Sequence, residues 1–318
     1  MPSWMITGAG KYQTTKWAGG SLACKTAFKS LVTLKDKDGK KQNPTTTKGQ
    51  LSFNNVEVGD VLEYEVFTGA DKTKAESDEF SVSITSLNWS YLIPTINQLY
   101  ATASKQQLAY WEKNNNAFID SLSKLVNPQR LFVTYSSQLH QTSSDGLYKG
   151  NFTIPSNIPS GPMTFNLLYG YNDEARSSDA SRAWENAINV ASWVAFAVEM
   201  IVSLAICPVT GGVGCGIASA IFTAQFAAEM ANMTHEHLSK TTVGTNRYGC
   251  SFPNGGFIHN YSLLINNPNN DPFGQLENKE ELKQDIQSST FEITKEKLLL
   301  GLSLGGLFLL ISSLSGGA

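Results

Sequence analysis

The chain has 318 residues, enough for about two domains, and 41% of them are hydrophobic, so a core of ordinary size is available. Charged residues make up only 16%, against roughly 25% in an average soluble protein, and Asn, Ser, Thr and Gln fill the gap. A net charge of −3 gives nucleic-acid binding little electrostatic support, and this profile suits an extracellular, virion or membrane-exposed protein better than a cytosolic enzyme.

Residues 1–20 hold no apolar run behind a basic stretch, so no secretory leader is expected and later segments must carry the chain to a membrane. Residues 1–93 are predicted to form a β-rich domain. The runs 28–34 (FKSLVTL), 50–53, 61–67 (VLEYEVF) and 80–84 (FSVSI) read as strands, and the last two alternate cleanly. The sequence DKDG at 36–39 is a turn signal, and 54–60 (NNVEVGD) reads as a loop or edge feeding the next strand. Short strands between turn residues predict a small β-sandwich, immunoglobulin-like in architecture only, because the two-cysteine core of antibody domains is absent.

Residues 94–128 are predicted to be one amphipathic helix. Ile96, Leu99, Tyr100, Leu108, Trp111, Phe118, Leu122 and Leu125 recur at three- and four-residue spacing, and Asn127-Pro128 ends the pattern. Such a helix covers a sheet or docks on a partner helix. Residues 129–178 return to strands at 131–135, 147–154 and 163–171, which complete or pair with the first sheet. The polar residues 172–181 mark the boundary to a more hydrophobic half.

Residues 179–239 are predicted to form a hydrophobic helical hairpin. Between Asn186 and Ala228 the only charged side chain is Glu199. The segment 207–215 divides the tract into two runs of about twenty residues, each long enough for a hydrocarbon core of roughly 30 Å. Ala183, Ala187, Ala191 and Ala195 form one four-residue row, and Gly216, Ala220, Ala224 and Ala228 another. Rows of small residues let helix backbones approach closely, as in membrane helix pairs. The first row continues through Glu199 to Cys207, which makes Glu199 an intramembrane acid facing the partner helix. There it serves as a proton-sensitive or channel-lining group or as a hydrogen-bonded acid fixing helix register, and the alternative for the whole hairpin is a buried pair of core helices. Cys207 and Cys215 bracket a Pro/Gly turn, as a disulfide in an oxidising compartment or as two buried thiols; with Cys24 and Cys250 they form no CxxC pair.

Residues 240–296 read as a mixed polar segment that returns, solvated, to the polar domain, with a strand at 257–265 (FIHNYSLLI) and an acidic helix-like stretch at 275–287. Residues 297–318 are predicted to be a C-terminal membrane anchor. No charge occurs from Leu298 to Ala318, Lys295 and Lys297 precede it, and its greasiest part, 298–314, is at the lower limit for a spanning helix. A C-terminal core helix is the alternative. With three spans, Arg176, Arg182, Lys240, Arg247, Lys295 and Lys297 fall on one side, which puts the N-terminal half on the cytoplasmic side. Sequons at Asn88, Asn151, Asn232 and Asn260 point the other way, to an exterior surface.

The sequence offers little for chemistry. His235-Glu236-His237, with His259 downstream, is the one tight ligand-like cluster, but histidines two apart do not share a helix face as in HExxH. Gly8-Ala-Gly-Lys11 lacks phosphate-loop spacing, and no nucleophile elbow or dinucleotide fingerprint occurs. No catalytic residue, cofactor, metal or small-molecule substrate is therefore expected. The expectation is an α+β, non-enzymatic, membrane-anchored structural or interaction protein, suited to a virion membrane or surface assembly. Its partners would be a lipid bilayer and further copies of itself or other coat proteins. The second expectation is a pore-forming or membrane-penetrating protein whose 186–232 hairpin inserts into a bilayer, helped by protonation of Glu199 and Glu229.

Overall fold

Apolar–polar alternation builds most of the sheet structure. A computed structural model describes residues 12–16, 27–67, 79–141, 147–169, 190–210, 219–232, 257–277 and 279–282. They form an α+β fold with two β-sheets. Cα packing divides them into a sheet unit, within 1–89, 128–188 and 223–271, and a helical unit, within 90–127, 189–222 and 272–318.

In the sheet unit, β1 (Tyr12–Lys16), β2 (Ala27–Lys35), β6 (Val61–Phe67) and β9 (Leu147–Thr153) lie in that order in one antiparallel sheet, with β3 (Lys41–Gln42) also on β2. The second sheet has the order β4 (Thr45–Thr47), β5 (Gln50–Glu57), β11 (Phe257–Asn266), β10 (Gly161–Tyr169), β7 (Glu79–Leu87), β8 (Phe132–Gln141). All its pairs are antiparallel except β5 with β11.

The two sheets share one core. Val32, Leu34, Leu62, Tyr64, Val66 and Phe152 come from the first; Phe80, Val82, Ile84, Phe165, Leu167, Tyr261 and Leu263 come from the second. In β6 the alternate residues Glu63 and Glu65 point away and pair with Lys41 and Lys149. Exposed pairs of this kind contribute at most about 1 kcal/mol each, so apolar burial dominates. Polar pins cross between the sheets. The Tyr64 hydroxyl and His140 Nε2 are 2.8 Å apart, the Tyr261 hydroxyl donates to the Ser30 carbonyl, and Ser30 Oγ lies 2.7 Å from His259 Nδ1.

One glycine is required by the packing. Gly150 stands opposite Tyr64 in the β6–β9 ladder, and a Cβ there would lie 2.6 Å from atoms of the Tyr64 and Tyr148 rings. Tyr64 is buried and held by His140, and His140 in turn stacks on Tyr148 at 4.6 Å. Neither ring is free to move aside. Gly150→Ala is expected to lower stability by about 1–3 kcal/mol, the usual cost of overpacking. Chemical denaturation checks this, and an unchanged midpoint would show that the rings yield freely.

Strand β5 runs on to Glu57, so residues predicted as a loop or edge feeding the next strand are mostly strand. Val56 explains the difference, because it is fully buried in the shared core. The segment read as solvated supplies β11, which lies between β5 and β10 with Tyr261, Leu263 and Ile265 in the core. The second sheet is therefore completed by a strand far downstream in sequence. The turn at 36–39 forms as predicted: Asp36 Oδ1 accepts from the Asp38 and Lys40 amides, and Gly39 takes a φ of +82°.

The predicted single helix over 94–128 is three helices: α1 (Trp89–Thr102), α2 (Lys105–Trp111) and α3 (Asn115–Leu125). α1 starts five residues before Pro94 because Trp89, Leu92, Ile93 and Ile96 are buried at i, i+3, i+4, i+7 spacing, which outweighs the hydrogen bond lost at the proline. Ser104 and Gln107 form a capping box that starts α2, and the Asn114 side chain caps α3. Within the helical unit Tyr100, Trp111 and Phe118 make mutual ring contacts at 5.4–6.1 Å, one residue from each helix. The Tyr91 hydroxyl donates to the Leu125 carbonyl and accepts from the Asn127 amide, closing the end of α3.

Candidate functional site

The apolar tract folds into α4 (Val190–Thr210), which continues through Cys207 and Pro208, and a second helix over 219–232. Few of the described side chains of α4 face outward. Trp193, Val194, Phe196, Ala197, Val198, Met200 and Ile201 are all buried, and so is Glu199. α4 packs against α3 and against the 3-10 turn Phe273–Gln275. Asn97 secures that turn, donating from Nδ2 to the Gln275 carbonyl and accepting the Glu277 amide on Oδ1. Phe196 meets Trp193 edge-on and Phe222 at 6.5 Å.

The apolar helix thus places one carboxyl in a protein interior. Glu199 is 8% exposed, and its Oε2 has no hydrogen-bond partner among the described residues. Burial pushes its pKa up to about 8, so the side chain holds its proton at neutral pH. Glu229, half-buried on 219–232, is pushed up to about 7 for the same reason. On α3, Asn115 also carries a buried Oδ1 with no partner among the described residues.

Ala191 and Ala195 are half-buried, Ala220 and Ala224 buried, and Ala228 half-buried. Ala183, Ala187, Gly216, Cys215, the Cys207 side chain and the histidines of His235-Glu236-His237 lie outside the described residues. Among the described residues no group of three His, Cys, Asp or Glu is placed to hold a metal ion. His259 is buried between the sheets, against Ser30. Of the sequons, Asn151 and Asn232 are exposed, whereas Asn260 is 4% exposed and spends its amide hydrogens on Asn166 and Thr164.

Among the described residues no helix is long and apolar enough to cross a membrane. Described side chains in α4 stop at Ile201, and the predicted anchor at 297–318 lies outside the described residues. The only large hydrophobic side chains exposed among the described residues are Tyr110 and Leu125.

A second feature escaped the sequence reading. On the outer face of the second sheet Ser81, Ser83, Thr85, Thr164, Asn166, Asn260 and Ser262 are all buried. Ser83, Thr85, Thr164, Asn166 and Asn260 form one network, in which Asn166 Nδ2 donates to Ser83 and Thr85 and Thr164 Oγ1 donates to Asn166 Oδ1, while Ser262 Oγ donates to Ser52 Oγ on β5. In the sequence these residues alternate with apolar ones, the pattern of a sheet with one face in water.

No protein-family model, curated protein or solved structure matches the chain.

Proposed function

We propose that the protein is a non-enzymatic structural or interaction protein held to a membrane through 298–318, with the sheet unit as its interaction module. In this reading α4 is a core element of the helical unit and not a span. The observation that carries it is the burial of Trp193 to Ile201 by the protein itself, Ala195 alone being half-buried. A helix facing lipid would leave a stripe of large apolar side chains open, and the described surface offers only Tyr110 and Leu125. That leaves 298–318, without a single charge and behind Lys295 and Lys297, as the segment suited to lipid. The low charge and the Ser-, Thr- and Asn-rich strands support a place in a virion membrane or surface assembly.

Alkaline carbonate extraction tests the reading. The full-length chain should stay with the membrane pellet. A chain carrying Phe308→Arg should move largely to the supernatant, because an arginine near the middle of a span costs about 2.5–3.5 kcal/mol on insertion. Retention of that variant, beside release of a chain lacking 186–232, would assign the attachment to the hairpin instead.

A further inference from the structure

We propose that His140 is an acid-sensitive latch, which holds the last strands of the two sheets together at neutral pH and releases them on mild acidification. The proposal does not depend on how the chain is held to a membrane.

Among the described strands, β9 stands last in the first sheet and β8 last in the second. His140, on β8, closes the sandwich between them. Its register partner in β7 is Phe80, which is buried in the shared core, so the imidazole lies on the inner face of its sheet. Across the gap, its Nε2 is 2.8 Å from the Tyr64 hydroxyl on β6, and its ring stacks on Tyr148 of β9 at 4.6 Å. The Phe80 ring lies 5.4 Å from it, and Tyr148 meets Phe80 edge-on at 5.2 Å. One side chain of the second sheet thereby joins two strands of the first.

The described groups packed against the imidazole are neutral. Gln138 Oε1, on the same strand, lies 3.2 Å from Nε2. Tyr64 and Tyr148 are the titratable groups that face it among the described residues, and burial pushes the Tyr64 hydroxyl up, so it does not ionise. The charges of β6 and β9 are spent on the outer face, where Glu63 pairs with Lys41 and Glu65 with Lys149. An imidazolium here has no carboxylate among the described residues to offset the water it gives up, and the π-face of Tyr148 returns only part of that loss. Burial accordingly pulls His140 below its ordinary value of 6.5. With the strands apart, the ring meets water and takes up a proton near the ordinary value. Below about pH 6.5 the parted state binds a proton that the closed state refuses, so closure weakens as pH falls and is fully restored above that value. His259, the other described histidine, is 2% exposed between the sheets, whereas His140 is half-buried and open to a proton without unfolding of the core.

The test uses the full chain. In a pH series followed by NMR, the His140 ring is expected to titrate below its ordinary value. Between pH 7.5 and pH 5, amide protection in β8 and β9, corrected for the intrinsic effect of pH on exchange, is expected to fall by about threefold or more relative to β10 and β11 in the same molecules. His140→Gln stays neutral throughout and should abolish that difference. A ring that titrates at or above the ordinary value, protection that falls equally in all four strands, or a variant that keeps the wild-type pH dependence would overturn the proposal. If the variant does not fold, the wild-type titration and exchange decide.

Discussion

Glu199→Gln is expected to stabilise the protein at pH 8 by a few kcal/mol and to leave its stability unchanged near pH 4. The unfolded carboxyl ionises near its ordinary value of 4.5, while burial in α4 raises the folded value to about 8. Below the lower value both states are protonated and the carboxyl imposes no penalty. Between the two values the unfolded chain releases a proton that the folded chain keeps, so stability falls as pH rises. Above pH 8 the loss is complete. Each unit of the window is worth about 1.4 kcal/mol, which gives an upper limit of about 4–5 kcal/mol, reduced wherever water reaches the group. Glutamine keeps the shape without the titration. Denaturant unfolding of both proteins at pH 4, 6 and 8 checks the slope. Curves that run parallel across that range would mean Glu199 ionises in the folded state as it does in the unfolded one.

Phe165→Ala is expected to destabilise the sheet unit by about 3–5 kcal/mol, against the 5–15 kcal/mol that holds a typical domain folded. Phe165 is fully buried on β10, between Ile84 of β7 and Tyr261 of β11 in the ladder. Its ring lies 5.9 Å from Tyr64 and 5.6 Å from Phe152, both on the opposite sheet. Truncation removes apolar contact from both layers, and the pins at Tyr64–His140 and Ser30–Tyr261 restrain the sheets from closing the gap. Phe165→Leu should cost clearly less, because it retains most of the volume. A loss below about 1 kcal/mol for the alanine variant would show that the two sheets do not depend on this contact.

Much of the sheet unit was legible because its strands alternate: Leu62, Tyr64 and Val66 point in while Glu63 and Glu65 point out. The capping signals at Ser104 and Asn114 were also in the sequence, but the apolar spacing that runs across them favoured one continuous helix. Two features were not legible for physical reasons. Nothing local marks β11 as the strand that joins β5 to β10, since its partners are about a hundred or more residues upstream. The polar residues at 81, 83, 85, 164, 166 and 260 carry the signature of a solvent face, and only tertiary packing reveals that the face is covered. As for the site, the isolation of Glu199 in an uncharged tract was readable, but a tract of that composition reads alike for lipid and for protein interior. Burial of its neighbours distinguishes the two.

Protein, not lipid, surrounds Trp193 to Ile201 in the fold described above. Light scattering on a chain ending at Lys297, purified without detergent, tests it most directly. The expected result is a monodisperse species in plain buffer that melts cooperatively, with Trp193 shielded from aqueous quenchers. A chain that aggregates until detergent is added, with a detergent belt over α4, would contradict it.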